Sequence, residues 1–418
     1  MCIIQGDEKD WKQESMRMFQ YYSNAYITMA STFSADCYGG FFSEQHVKAT
    51  RLHLLDVKFR GTTQPVYAYR DFPQDYFLNL YESRNVLSGL GSDFGLLLRA
   101  RIYQERLVSP RLLFSTQKQQ IFECYHGRWY QENNEDPKRD PGNHKQAYKA
   151  LLRTTSYEST EELWTNLVTA FGHLRITYPT DKLPAIAAIA KQFLSTQKLP
   201  HSPAHEYLCG LRRTHLHVDL SWSVVKDPAL KTADFCVVKS YTAPSWSWAS
   251  VPGQIGYGYN TLRGDGKVST ISLTKECLSF AGDRFGQVLG GYIIIEAPAF
   301  ECAWTSWTTA FLEISHERWL NLPGDGNSEV GFKLDYPNIH YLVETHVEGG
   351  KAVKKLTVLH TWLSADEQIL GFLVLYKDRS NGRYRRLGVG TASPDRTAYW
   401  GRFKALCQQA ERRTLELE

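Results

Sequence analysis

Apolar and polar positions follow two different rhythms along this chain. Near the start, Trp11, Ser15, Met18, Tyr22 and Ala25 recur every three or four residues, the stripe of an amphipathic helix. Residues 27–31, ITMAS, follow as a short strand, and the Gly39–Gly40 pair breaks the chain after it. Residues 41–98 mix periods and carry Pro65 and Pro73, which predicts loops and short strands. LLLRARIYQERLVS at 96–109 predicts a helix with Leu98, Ile102, Glu105 and Arg106 on one side, stopped by Pro110. A short strand over 121–124, IFEC, comes next.

The segment 132–145, ENNEDPKRDPGNHK, is charged, punctuated by Pro and Gly, and without apolar period, so it reads as a linker. Beyond it, Ser159 and Glu162 have the spacing of a capping box ahead of LWTNLVTAF. A second helix starts at Thr180 or Asp181, with Pro184 in its first turn and Ile186, Ile189, Ala190 and Phe193 facing inward. From about 241 the rhythm changes to alternation. VSTISLTKECLSF, GYIIIEAPAFECAW, KLTVLHTWL and ILGFLVLYKD are strand segments separated by turn residues. The expected organisation is therefore a first domain at 1–130, a linker at 131–146, and a region at 147–418 that is helical to 240 and β-rich from 241.

Composition adds little to this division. With 43% hydrophobic and 22% charged residues the chain is an ordinary globular one, and Lys+Arg 48 against Asp+Glu 44 is too even to imply nucleic acid or membrane. The densest basic run, RSNGRYRR at 379–386, reads as a solvated hairpin. Eight dispersed cysteines without a CxxC pair support neither a zinc ribbon nor a redox site and suggest free thiols in a reducing compartment. Asp7, Glu8 and Asp10 exclude a secretory signal at the start, and no run approaches the roughly 20 apolar residues of a membrane span. A soluble, cytoplasmic protein is the expectation.

Few residues offer chemistry. In APSWSWAS at 243–250, Trp246 and Trp248 are two apart, so a strand would aim both rings at one face, as core anchors or as an aromatic platform. Ser250 lacks the G-x-S-x-G frame of a nucleophile elbow. Glu105 sits where Arg101 could pair with it at i,i+4, or where burial could turn it into an acid or base. His201, His205, His215 and His217 are close in sequence, but Pro203 interrupts the first pair and no carboxylate completes a metal pattern. GYGYNTLRGDG at 256–266 and GLGSDFG at 89–95 are loose glycine clusters that read as turns rather than phosphate loops. No cofactor is implied.

Several blocks, in order, resemble the fungal heterokaryon incompatibility (HET) family. CIIQGDEKDWKQESMRM at 2–18 with YSNAYITMASTFSADCYGG at 22–40 resembles its central block, including Gln5 and Asp7. RARIYQERLVSPRLL at 99–113, with Arg99, Gln104, Glu105 and Arg106, resembles its closing block, and FEC at 122–124 follows it. APSWSWASVPG, with Trp246 and Trp248, then falls where the family has it, as do GFLVLYKD and RYRRLGVG. Three departures stand out. The family's first block and the strand before the central block are absent, Gly6 stands where an Asp is usual, and Arg101 replaces a Trp.

The resemblance implies an incomplete α/β domain, similar to Toll/interleukin-receptor-like domains, followed by an α+β region with a β-rich C-terminal half. It implies a role in non-self recognition and programmed cell death, exerted through contacts with other proteins of the incompatibility system or by self-association, with neither nucleic acid nor membrane as partner. A second reading is an NAD-cleaving hydrolase with Glu105 as the catalytic carboxylate. A third is a degenerate or truncated gene product without activity.

Overall fold

The computed structural model describes residues 7–34, 36, 38–42, 53–68, 96–97, 99–116, 119–131, 144–152, 157–197, 200–225, 241–257, 266–304, 317–324, 328–335, 346–348 and 351–418. The fold is mixed, with strands dominating the second half. The chain divides into two units, Met1–Thr154 and Thr155–Glu418. No helix among the described residues is long and apolar enough to cross a membrane.

In the first unit, α1 (Glu8–Asn24) leads into β1 (Thr28–Ser31), as the periodicity predicts. Strands β2 (His53–Phe59) and β3 (Thr62–Ala68) form a hairpin. Helix α2 (Ala100–Val108) ends at Ser109, whose N–H and hydroxyl both return to the Glu105 carbonyl, and Pro110 prevents another turn. The chain continues through β4 (Arg111–Ser115), β5 (Gln120–Cys124) and β6 (Gly127–Tyr130) to α3 (His144–Leu151). The sheet order is β1-β4-β5-β6, in which β1–β4 is parallel and the other two pairings are antiparallel. The expected linker is overturned at its end. His144 and Lys145 open a helix, and Lys145 is wholly buried because backbone carbonyls hold its ammonium.

The second unit begins with α4 (Tyr157–Gly172) and α5 (Lys182–Thr196). Helix α4 starts two residues before Ser159, which is therefore inside the helix rather than its cap. Pro184 lies in the first turn of α5, and Ile186, Ile189, Ala190 and Phe193 are all buried. The stretch expected to be helical also holds short strands, β7 (Tyr207–Leu208) and β8 (Leu211–Arg212) between the one-turn helices α6 (Pro203–Glu206) and α7 (Leu216–Asp219), and β9 (Trp222–Val224) after α7. Strand β10 (Ile255–Tyr257) pairs with β9.

The β-rich part then follows as β11 (Val268–Ser269), β12 (Ser272–Phe280), β13 (Val288–Trp304), β14 (Glu317–Asn321), β15 (Glu329–Leu334), β16 (His346–Glu348), β17 (Lys351–Leu363), β18 (Leu370–Lys377) and β19 (Tyr384–Ala392). Helix α8 (Trp400–Gln409) and β20 (Arg412–Leu417) complete it. Six antiparallel strands close into a ring, β13-β17-β18-β19-β15-β14 and back to β13. Alternate residues point inward, Val330, Phe332 and Leu334 on β15 and Leu370, Phe372, Val374 and Tyr376 on β18, and Phe403 and Cys407 of α8 join the same core. The ring is tight at β15–β19, where a Cβ on Gly388 would stand 2.1 Å from the Lys333 carbonyl oxygen, so no larger residue fits.

Two sequence expectations need correction here. Trp246 and Trp248 are buried, at 0% and 1% exposure, but they are not in a strand. Ser247 N–H closes a turn onto the Pro244 carbonyl, and its hydroxyl caps a short 3₁₀ helix at Trp248–Ser250. The rings consequently anchor different layers. Trp246 Nε1 donates to the Leu417 carbonyl of β20 at 3.1 Å, while Trp248 packs edge-on against Phe171 of α4 and donates to the Gly210 carbonyl at 2.9 Å. Gly210 must be glycine, with φ +93 and the Trp248 ring 2.6 Å from where a Cβ would lie. Core anchoring is what these tryptophans do.

The second correction concerns the basic run. Its turn is exposed, but Arg386 is fully buried. Its Nε and Nη2 donate to Asp335 at 2.7 and 3.1 Å, its Nη1 to the Leu220 carbonyl at 2.6 Å, and its Nη2 also to the Trp222 carbonyl. The guanidinium lies 3.5 Å from the centre of the Trp222 ring. Arg386→Ala would strand the buried Asp335 charge, an expected loss of about 3–5 kcal/mol. Replacing both partners together, Asp335→Leu with Arg386→Met, should recover much of that loss. Urea unfolding of the single and double variants checks this, and a double variant as unstable as the single one would contradict it.

Candidate functional site

The first unit brings together most of the polar residues singled out in the sequence. Its α2 has two functional sides. On one, Glu105 is half-buried and accepts a hydrogen bond from the Tyr22 hydroxyl of α1. Burial pushes the Glu105 carboxyl up to about 7, against the opposing pull of that bond and of Arg101. The Tyr22 hydroxyl is raised in turn by its own burial and by the neighbouring carboxylate. Glu105 is thus poised to gain or lose a proton near neutrality, as a general acid or base requires.

On the other side, Arg106 turns into the core, so the shared side predicted for Glu105 and Arg106 is not found: each has its own partner. It grips Glu123 of β5 through two hydrogen bonds, Nε to Oε2 at 2.7 Å and Nη2 to Oε1 at 2.6 Å. Arg128, directly across the hairpin from Glu123, adds bonds at 3.2 and 3.1 Å. Burial alone would raise the Glu123 carboxyl, but Arg106 and Arg128 overrule it and hold it well below the usual carboxylate range. Lys145 of α3 donates to the carbonyls of Arg106 and Ser109 at the end of α2. Its burial lowers the ammonium to about 7, although Glu123 opposes the shift. The locked Glu123 has a structural part, and Glu105 is the group left with chemistry.

The remaining expected residues are placed as follows. Gln104 is buried on α2, Arg99 is exposed at its N-cap, and Asp7 is exposed ahead of α1. Gln5, Gly6 and the glycine cluster at 89–95 lie outside the described residues, as do residues 258–265 of the cluster at 256–266. The four histidines do not converge. His201 and His205 are exposed with rings 4.8 Å apart, whereas His215 and His217 are buried and held well below the ordinary imidazole value by desolvation. No group of three or more metal-ligating side chains occurs among the described residues. The described cysteines, Cys124, Cys209, Cys277, Cys302 and Cys407, are free thiols.

Sequence reading missed Glu123, Arg128 and Lys145 as a unit. One signal was available. In a strand Ile121 and Glu123 share a face, so a buried Ile121 takes the carboxylate inside with it, and a buried carboxylate needs a cation. No family model matches this chain, nor does any curated protein or solved structure.

Glu105 makes a sign-definite prediction. Its folded value of about 7 exceeds the ordinary 4.5, so the folded chain keeps a proton that the unfolded chain has released across that window. Stability of the first unit is therefore full below the lower value and falls as pH rises towards the higher one, by at most about 3 kcal/mol. Amide hydrogen exchange over residues 100–115 should show this slope, and Glu105→Gln should flatten it. An equal slope in the two proteins would refute the assignment.

Proposed function

We propose that this chain is a HET-family protein acting in fungal non-self recognition and cell death, in the cytoplasm and through protein contacts. One observation carries the reading. The two blocks that resemble the family's central and closing motifs, far apart in sequence, fold onto each other. Strand β1 runs parallel to β4 with Thr28 opposite Leu112, Thr28 Oγ1 bonds Ser109 Oγ at 2.9 Å, and Tyr22 bonds Glu105. The third block also supports it, because the tryptophans of APSWSWAS are buried as core anchors, a structural part that needs no ligand. In the proposal the first unit corresponds to a Toll/interleukin-receptor-like domain.

Inducible expression in a filamentous fungus tests the role. Growth arrest with hyphal death is expected, and Arg106→Ala should abolish it by removing the closer of the two buried arginines that hold Glu123 and tie α2 to β5. Stable accumulation of the native chain without growth arrest would overturn the proposal.

The half-buried Glu105 favours a second reading, NAD hydrolysis. The bond from ribose to nicotinamide breaks, nicotinamide leaves with the electron pair, and water adds at the ribose carbon and releases one proton to solvent. The Glu105 carboxylate would stabilise the charge developing on the sugar. Purified protein should then release nicotinamide from NAD, and Glu105→Gln should lose the activity. Equal rates would remove Glu105 from any such role.

A further inference from the structure

The second unit carries a compact group of cations that neither reading uses. Arg213, just after β8, and Arg284, in the turn between β12 and β13, both direct Nη2 at one oxygen of Glu276, the latter at 2.6 Å. Each is fixed a second time by its Nε. Arg213 donates to the His205 carbonyl at 3.0 Å and Arg284 to the Tyr207 carbonyl at 3.2 Å. Two guanidinium groups thus converge on a single point without freedom to swing away, which places two planar forks side by side.

The charges do not balance. Two guanidinium cations share one carboxylate, and the nearby Asp283 is taken up by Lys191 at 3.5 Å. One positive charge is left over. The bonds of both arginines use Nε and Nη2, leaving each Nη1 without a hydrogen bond among the described residues, and the side chains are 14% and 24% exposed. His205, whose carbonyl holds Arg213, is itself exposed, with its imidazole against the exposed His201 ring. Desolvation first, and then the charge of Arg213, hold it below its ordinary value.

We propose that Arg213 and Arg284, set in place by Glu276, form a surface site for a phosphate group, with the His205 ring at its edge. A tetrahedral dianion has enough oxygens to accept from both unused Nη1 groups at once, and it neutralises the surplus charge. A carboxylate monoanion has one acceptor edge and can satisfy only one fork well. Free phosphate and a phosphate monoester share this chemistry, since both present terminal phosphate oxygens to the forks.

Phosphorus NMR titration of the full chain with inorganic phosphate and with phenyl phosphate, at about 0.15 M salt to screen weak surface attraction, tests the site. Saturable binding of either probe is expected, weakened at least roughly tenfold by Arg284→Gln. Tighter binding of phenyl phosphate would identify a monoester as the ligand, and equal binding the phosphate group alone. Hydrogen exchange in the native protein supplies a readout independent of any variant, with slowing expected over 205–213 and 280–286 when phosphate is added. No slowing there, an unchanged affinity in a folded Arg284→Gln protein, or acetate binding as tightly as phosphate would each overturn the assignment.

Discussion

A carboxylate taken out of water must be met by a cation with matching geometry, and this requirement organises both units of the chain. Glu123, Asp219 and Asp335 have side chains between 0% and 2% exposed. Each is gripped by an arginine through two parallel hydrogen bonds, from Arg106, Arg212 and Arg386 respectively. Desolvating such ions costs several kcal/mol apiece, so the pairs need not add to stability compared with an apolar core. What they add is position. A bidentate fork is satisfied at one distance and one orientation, whereas apolar contacts tolerate sliding.

The Arg386 pair shows how far one such constraint reaches. Burial holds the Asp335 carboxyl above its ordinary value although Arg386 pulls the other way, so the pair persists by geometry rather than by a favourable medium. Asp335 follows β15 and Arg386 lies on β19, so the pair joins the two strands just beyond their ladder at Lys333–Val389 and Leu334–Gly388. The same guanidinium binds carbonyls at 220 and 222 and stacks on Trp222, whose Nε1 donates to the Trp246 carbonyl at 3.0 Å. Trp246 then reaches β20. The β-ring, the loop holding the tryptophans and the final strand are thereby fixed to one another through a single cation.

This also explains which features were legible in the sequence. Helices α1, α2, α4 and α5 and the long strands are local periodicities, and burial of Ile186, Ile189, Ala190 and Phe193 follows from their spacing alone. The failures came where a distant partner decided. Lys145 lies in a segment whose composition says linker, yet carbonyls at 106 and 109 draw it inside. Arg386 sits in a run that looks solvated, but its carboxylate is fifty-one positions upstream. In PSWSW the alternation suggests a strand, and the serine hydroxyl overrides it by capping a turn. Alternation identifies which rings are buried; it does not identify the backbone that carries them there.

Glu105 stood out in the sequence, but Glu105 and Glu123 show why the fold was needed to tell a reactive carboxylate from a locked one. Both are glutamates of the first unit, and sequence reading distinguishes them by nothing chemical. Burial raises both, but only Glu123 meets two guanidinium groups, which hold it ionised. Glu105 meets a phenol and a single nearby arginine, too little to offset desolvation, so its carboxyl stays near 7. Opposite protonation behaviour within one unit is how environment assigns one carboxylate to structure and frees another for chemistry. The assignment rests on α2 itself. Adjacent residues on a helix face directions about 100° apart, so Arg106 can enter the core only if Glu105 is turned out of it, towards α1 and Tyr22. Fixing the structural charge therefore presents the reactive one.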